Sequence, residues 1–255
     1  MTEFPGSPAI GRYDVRSGMA RALLPICAAI MALHVVSVAV LSLVRPGHGV
    51  LVEVMALLNA AQERSLASWW TSTLLAACCL AAVAAARLAD GGSVTGSVTG
   101  SVTGRAGRSW LVLAVVFALL SLDEVVSLHE RGAKFTAAVV DNGSLLGRLG
   151  WTIPAAAVLV LSLLVLVPAF RAIPARPRVV ILAGLATSIA GALGMEVVNV
   201  LLTRAGARYL WRHLAMAVEE TAEMVGVVIV LLGVLTAVRV RWAERQLTVN
   251  YDAGR

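Results

Sequence analysis

Charge is scarce in this chain. Only 14% of its 255 residues are charged, against about 25% in an ordinary soluble domain. Cysteine is scarcer still: Cys27, Cys78 and Cys79 all lie inside apolar runs, and no CxxC occurs. Neighbouring helical residues point about 100° apart, so Cys78 and Cys79 form no clamp and read as small packing residues. A disulfide scaffold is thereby excluded. Four histidines are too few for a His-box desaturase or a multi-haem cytochrome. Walker A, GxGxxG, HExxH and GxSxG are all missing, so the chemistry that those motifs carry has no support.

Apolar residues fill the space: 59% of the chain is hydrophobic, with a mean hydropathy of +0.85. A span needs about 20 mostly apolar residues. Six stretches qualify, at about 22–44, 68–88, 109–129, 151–171, 179–203 and 210–238. The expected fold is all-α, a polytopic transmembrane bundle over 22–238. The interrupted stretch 50–65 reads as a short interfacial or re-entrant helix. Residues 1–21 and 239–255 read as an N-terminal segment and a C-terminal tail. The first apolar run is too long for a signal-peptide core, so it reads as a retained span. SVTG occurs three times within the loop 91–104, a flexible low-complexity linker without chemistry.

Orientation follows from the basic residues. Thirteen arginines lie on the side that holds both termini, against eight basic residues on the other. Both termini are therefore expected in the cytoplasm, in a plasma membrane. The net charge of +6 is assigned to loops facing anionic lipid, not to nucleic acid. Trp69, Trp70, Trp151, Tyr209 and Trp211 would form an outer aromatic belt.

Seven carboxylates lie in or at the ends of spans: Asp123, Glu124, Glu130, Glu196, Glu219, Glu220 and Glu223. At about 3 kcal/mol each they would cost on the order of 20 kcal/mol unpaired. They must be paired, protonated, solvated or bound to a cation. Counted from the inner arginines, they stand roughly 22–33 Å up, at one level in the outer leaflet of a core about 30 Å thick. Glu63 lands slightly higher. Asp123, Ser127 and Glu130 follow i, i+4, i+7 and form one stripe on a continuous helix. Glu220 and Glu223 are i, i+3, and His213 stands seven residues before Glu220 on the same face.

Carboxylates with histidines in a helical bundle are the ligand set of di-iron and di-manganese sites. The residues read as ligands of a divalent or di-nuclear metal (iron, manganese or zinc) are Asp123, His129, Glu130, His213, Glu220 and Glu223. Glu124, Glu196 and Glu219 would support them or act as acid or base. No Glu-x-x-His pair is present, a departure from the usual di-iron pattern. The substrate would be a lipid or a small apolar molecule, with oxidation and hydrolysis equally open, and a homo-oligomer is allowed. Two alternatives stand beside the metal. One is a proton- or cation-coupled transporter. The other is a structural network pairing these acids with Arg64, Arg131, Arg204, Arg208 and Arg212.

Smaller features read as structural. His34 is expected to be a hydrogen-bonded core histidine, with Ser37 one turn away. Asn199 reads as a helix–helix hydrogen bond that could orient Glu196. Gly184, Ser188, Gly191 and Gly194 give the fifth span a small-residue face for close packing. Met224 reads as packing.

With LDEVVSLHE, EETAEMVG and a Glu63 placed before Trp69-Trp70, the chain resembles a group of uncharacterised bacterial multi-pass membrane proteins. These share LDExxxxHE and EExxEMxG patterns, and the resemblance covers most of residues 55–235. It points by position to Glu63, Asp123, Glu124, His129, Glu130, Glu219, Glu220 and Glu223. It implies a membrane protein without an assigned activity. Glu196 rests on depth alone.

Overall fold

The computed structural model describes residues 15–44, 49–62, 64–90, 104–127, 131, 152–243 and 246–252. Glu63, His129, Glu130, Trp151 and the SVTG repeats therefore lie outside the described residues, and of Glu196 only the backbone is described. The described chain is helical apart from one two-stranded sheet. The helices are α1 (Val15–Val44), α2 (Val50–Leu58), α3 (Leu66–Ala89), α4 (Arg105–Val126), α5 (Thr152–Ala172), α6 (Ala175–Arg204) and α7 (Tyr209–Leu235). Strands β1 (Val238–Ala243) and β2 (Gln246–Tyr251) follow.

Among the described residues, four helices are long and apolar enough to cross a membrane: α1 from Arg16, α3, α4 and α6. On α7, Glu219, Glu220 and Glu223 interrupt the apolar run. The helix α5 has 21 residues, of which Val160–Ala172 forms a shorter apolar helix among the described residues. The short helix expected near residue 50 is α2, and none of its residues is buried.

Alanine and cysteine make α3 thin. Ala82, Ala85, Ala86 and Cys78 are fully buried there, which lets the large side chains of α4, Trp110, Leu113 and Phe117, pack against it. The three cysteines are free thiols. Ser72 and Ser121 tie the pair by reciprocal bonds, each hydroxyl donating to the other's carbonyl at 2.9 Å. Ser65 caps α3 by accepting from the Ser68 N–H at 3.2 Å. At the other end, the Asp90 carboxylate accepts from the Gly104 N–H at 3.0 Å, so the two ends of the SVTG loop are fastened together.

The centre of the body is α7. Met224, Val228, Val230, Leu231 and Val234 are buried, and α7 packs on α1, α3 and α6. Its contact with α6 runs antiparallel and nearly backbone to backbone. A Cβ on Gly184 would stand 2.6 Å from the Gly226 carbonyl oxygen, and one on Gly191 would stand 2.6 Å from the Ala222 Cβ. Gly194 departs from the expected small-residue face: nothing lies within 4 Å of its Cβ position.

The segment read as a tail begins with an antiparallel hairpin, in register from Val238↔Tyr251 to Ala243↔Gln246. The buried Trp110 indole donates to the Tyr251 hydroxyl at 3.0 Å. The Asp252 N–H donates to the Ala237 carbonyl at 2.8 Å, and Arg239 pairs with Asp252 at 2.7 Å. The hairpin is thus docked on the α3–α4 end of the bundle.

Candidate functional site

Glu219, Glu220 and Glu223 occupy one stretch of α7 facing the bundle. Glu220 is partly buried. The carboxylates that act on it electrostatically are Glu223, Glu124 and Glu219, strongest first. Glu124 comes from the end of α4, held near α7 because α3 packs on both helices. Asn199 of α6 donates to the Glu219 carboxylate at 3.2 Å. Its own carbonyl oxygen is buried without a hydrogen-bond partner among the described residues. Asp123, Glu124, Glu219 and Glu223 are each engaged in a further interaction. Four acids from two helices, with an amide from a third, therefore share one region.

Depth along the bundle can be read from α6. Asn199 stands opposite Glu219, and the Ser188 hydroxyl donates to the Glu223 carbonyl at 3.3 Å. Ser188 lies near the midpoint of α6. A Cβ on Gly191 would stand 3.3 Å from the Glu219 carbonyl oxygen, so the backbone of the α7 acids lies beside the middle of α6, and Glu219 meets Asn199 through its side chain.

The helical stripe Asp123, Ser127, Glu130 is corrected. α4 stops at Val126, and Ser127 takes the left-handed conformation at φ 53° and ψ 49°. Its N–H donates to the Asp123 carbonyl at 2.6 Å, and the Arg131 side chain donates to the Val126 carbonyl at 2.9 Å. Two β-branched valines followed by serine favour this stop, and the arginine caps the freed carbonyl. The α4 face therefore ends before Ser127, and Glu130 lies outside the described residues. The α4 carboxylate within electrostatic reach of Glu220 is Glu124, which sequence spacing had placed off the stripe.

Of the expected metal ligands, His129 and Glu130 lie outside the described residues. No three His, Cys, Asp or Glu side chains of the described residues come together in a way that could hold a metal ion. His213 shows why. Seven residues put it on the face of Glu220, but also roughly 10 Å along the axis. Its ring packs on Tyr209 at 4.1 Å and stands 6.0 Å from His34.

His34 is a buried core histidine, as expected, but its ring partners are not Ser37. Ser37 donates to the His34 backbone carbonyl at 2.8 Å. The ring Nδ1 accepts from the Ala60 N–H at 3.0 Å, which leaves Nε2 to carry the proton and donate to the His213 carbonyl at 3.3 Å. One imidazole therefore joins α1, the α2–α3 connection and α7. No spacing in the sequence marks Ala60 or His213 as its partners.

No curated protein and no solved structure matches this chain. A family model of a domain of unknown function (DUF8692) matches residues 23–238. That match runs from Leu23, two turns into α1, through the end of α7, and takes in Asp123, Glu124, Glu219, Glu220 and Glu223. The chain belongs to the DUF8692 family.

Proposed function

We propose that the chain is a six-span proton- or cation-coupled membrane transporter, in which Glu220 binds and releases the coupling ion with Glu124, Glu219 and Glu223 around it. The single observation that carries this reading is the setting of Glu220: partly buried, with three carboxylates acting on its charge. Like charges gathered in a low-dielectric region cannot all stay ionised without protons or cations among them. The buried Asn199 oxygen adds an acceptor beside Glu219 that a protonated carboxyl or a cation would satisfy.

Six spans are supported by the antiparallel contact of α6 and α7. Gly184 meets Gly226 and Val230, Gly191 meets Ala222, and Gly233 meets Ile181. A bilayer that contains α6 therefore contains α7 at the same depth, acids included. With 27 residues, α7 is about 40 Å long, enough to span. The arginine distribution supports termini in the cytoplasm. The metal reading has less support, because His213 stands about two turns from Glu220 along α7 and packs on Tyr209.

The test uses the full chain in sealed proteoliposomes with an enclosed pH dye and an imposed membrane potential. Proton uptake, or sodium-driven proton release, is expected from the natural sequence, with at least about a tenfold loss in Glu220→Gln, as when a group essential to the step is removed. The Gln variant should unfold no earlier than the parent, since it removes a repelled charge. Silent vesicles whose protein carries iron, manganese or zinc, lost in Glu220→Gln, would replace transport by the metal reading. Silent, metal-free vesicles with a destabilised Gln variant would replace it by a structural network.

A further inference from the structure

The hairpin that follows α7 is amphipathic. Strand alternation and the register put Val238↔Tyr251 and Val240↔Val249 on one face and Arg239↔Asn250 on the other. Val238 and Tyr251 pack on the hydrophobic core, and Tyr251 accepts from the Trp110 indole. One step farther out, Val240 is 41% exposed. Trp242↔Leu247 is the next pair of that series in register. The apolar face therefore starts on the bundle and overhangs it.

Position decides what lies beside the overhang. α3 and α4 are long and apolar enough to cross a membrane, so the end of α3 at Ala89 and the start of α4 at Arg105 mark one bilayer surface. β2 packs on α3, and Trp110 stands five residues into α4, about one and a half turns. The hairpin is thus held at that surface. The end of the bundle and the surrounding bilayer share one plane, so the face turned to the bundle is also turned to lipid. An apolar face of this kind is satisfied at the boundary between headgroups and acyl chains, a level at which tryptophan is enriched.

Charge chooses the lipid. Segments 87–108 and 238–255 together carry seven arginines against Asp90, Glu244 and Asp252. Arg87, Arg105 and Arg108 are exposed at this end of the bundle. Arg239 is matched by Asp252 at 2.7 Å, while Arg241 and Arg245 flank the turn with Glu244 between them. An anionic bilayer strengthens the binding of each arginine near its surface about fivefold, and a neutral one does not. We propose that the overhanging half of the hairpin binds the surface of an anionic phospholipid bilayer, with the Val240–Val249 pair at the headgroup–acyl boundary and the charge of Arg241 and Arg245 drawn to lipid phosphate. This is independent of the transport reading and needs only that α3 and α4 cross.

The experiment uses the full chain in nanodiscs of equimolar phosphatidylcholine and phosphatidylglycerol. The photocrosslinker p-benzoylphenylalanine replaces Val240 on the apolar face or, separately, Asn250 on the polar face. Mass spectrometry then counts lipid adducts after irradiation. The probe at 240 should capture lipid and the probe at 250 little, with phosphatidylglycerol exceeding phosphatidylcholine at least about fivefold. High salt should weaken that preference, and Arg241→Gln with Arg245→Gln should bring it near parity. In the natural sequence, hydrogen exchange of residues 238–251 should be slower in these discs than in discs of phosphatidylcholine alone. Equal capture of the two lipids, no more capture at 240 than at 250, or equal exchange in the two discs overturns the proposal. A crosslink between two chains through the probe at 240 would assign the face to a second copy instead.

Discussion

His34 sits inside α1 at 1% exposure, and its ring serves two neighbours at once. Replacing it with leucine keeps the volume roughly and removes both bonds. The His213 carbonyl retains its own helix partner, so the loss falls mainly on the Ala60 N–H. A buried unmet donor costs about 1–3 kcal/mol. His34→Leu should therefore unfold several degrees earlier in detergent, followed by circular dichroism. Val36→Ala, at a position 52% exposed, should shift by no more than about 0.5 kcal/mol. Equal shifts in the two variants would remove His34 as a joint. At this scale the sequence was readable in part. That His34 is a bonded core residue follows from one polar group in an apolar run. Its partners depend on how three segments meet, and no local spacing encodes that. His213 and Glu220 make the same point in reverse: a face is a direction, and two groups on one face can still stand two turns apart.

Packing between elements is tightest where α6 meets α7, and it makes two identical substitutions behave differently. Gly184→Ala puts a Cβ 2.6 Å from the Gly226 oxygen and 2.7 Å from the Val230 nitrogen, both backbone atoms. The helices must separate, at a cost of about 1–3 kcal/mol. Gly194→Ala meets open space and should gain up to about 1 kcal/mol of helix propensity. Thermal unfolding of the pair reads the difference directly, and equal shifts would contradict the packing described here. The apolar runs made the helices legible, and glycine spacing made the close face legible as far as Gly191. The end of α4 was hidden, because Ser127 takes a conformation that few residues other than glycine adopt. The hairpin had a signal that was passed over: Val238, Val240 and Trp242 alternate with arginines at the strand period of two.

The docking of that hairpin depends on pH through Tyr251. Burial is the larger influence and raises its phenol above the usual value of 10, although the bond from Trp110 pulls the other way. The folded chain then keeps the proton over a range where the unfolded chain has lost it. Stability is unaffected below pH 10 and falls as pH climbs through the raised value. Hydrogen exchange of residues 238–251 should accelerate there. Tyr251→Phe should accelerate it already at neutral pH, by about 1 kcal/mol of lost protection. Slow exchange in the variant would show that the hairpin is held by other contacts.

Across the whole molecule, large apolar side chains point outward in numbers that water would not tolerate. Leu43 is 84% exposed, Leu80 71% and Leu164 66%. A bilayer accounts for these faces, and the number of crossings decides which loops share a side. If α1, α3, α4, α5, α6 and α7 all cross from a cytoplasmic N-terminus, Arg176 lies in the cytoplasm and Arg208 outside. If only α1, α3, α4 and α6 cross, the two exchange sides. Single cysteines, Arg176→Cys and Arg208→Cys, should answer to an impermeant maleimide added to intact cells. Labelling at 208 and not at 176 is the outcome for six spans with cytoplasmic termini, and the reverse pattern would overturn that arrangement.

The bond between Asp90 and Gly104 bears on the repeats it encloses. A closed ring of chain is nearly indifferent to its own circumference. Lengthening it from 13 residues, 91–103, by one SVTG unit costs roughly 0.2 kcal/mol of closure entropy. Tandem copies of this kind arise and vanish by slippage when a gene is copied. Here the fold places almost no penalty on that drift, so copy number can wander among relatives while the helices stay as they are. The same indifference makes the loop a port through which a rigid marker domain could be grafted, giving a small membrane protein a shape that electron microscopy can align.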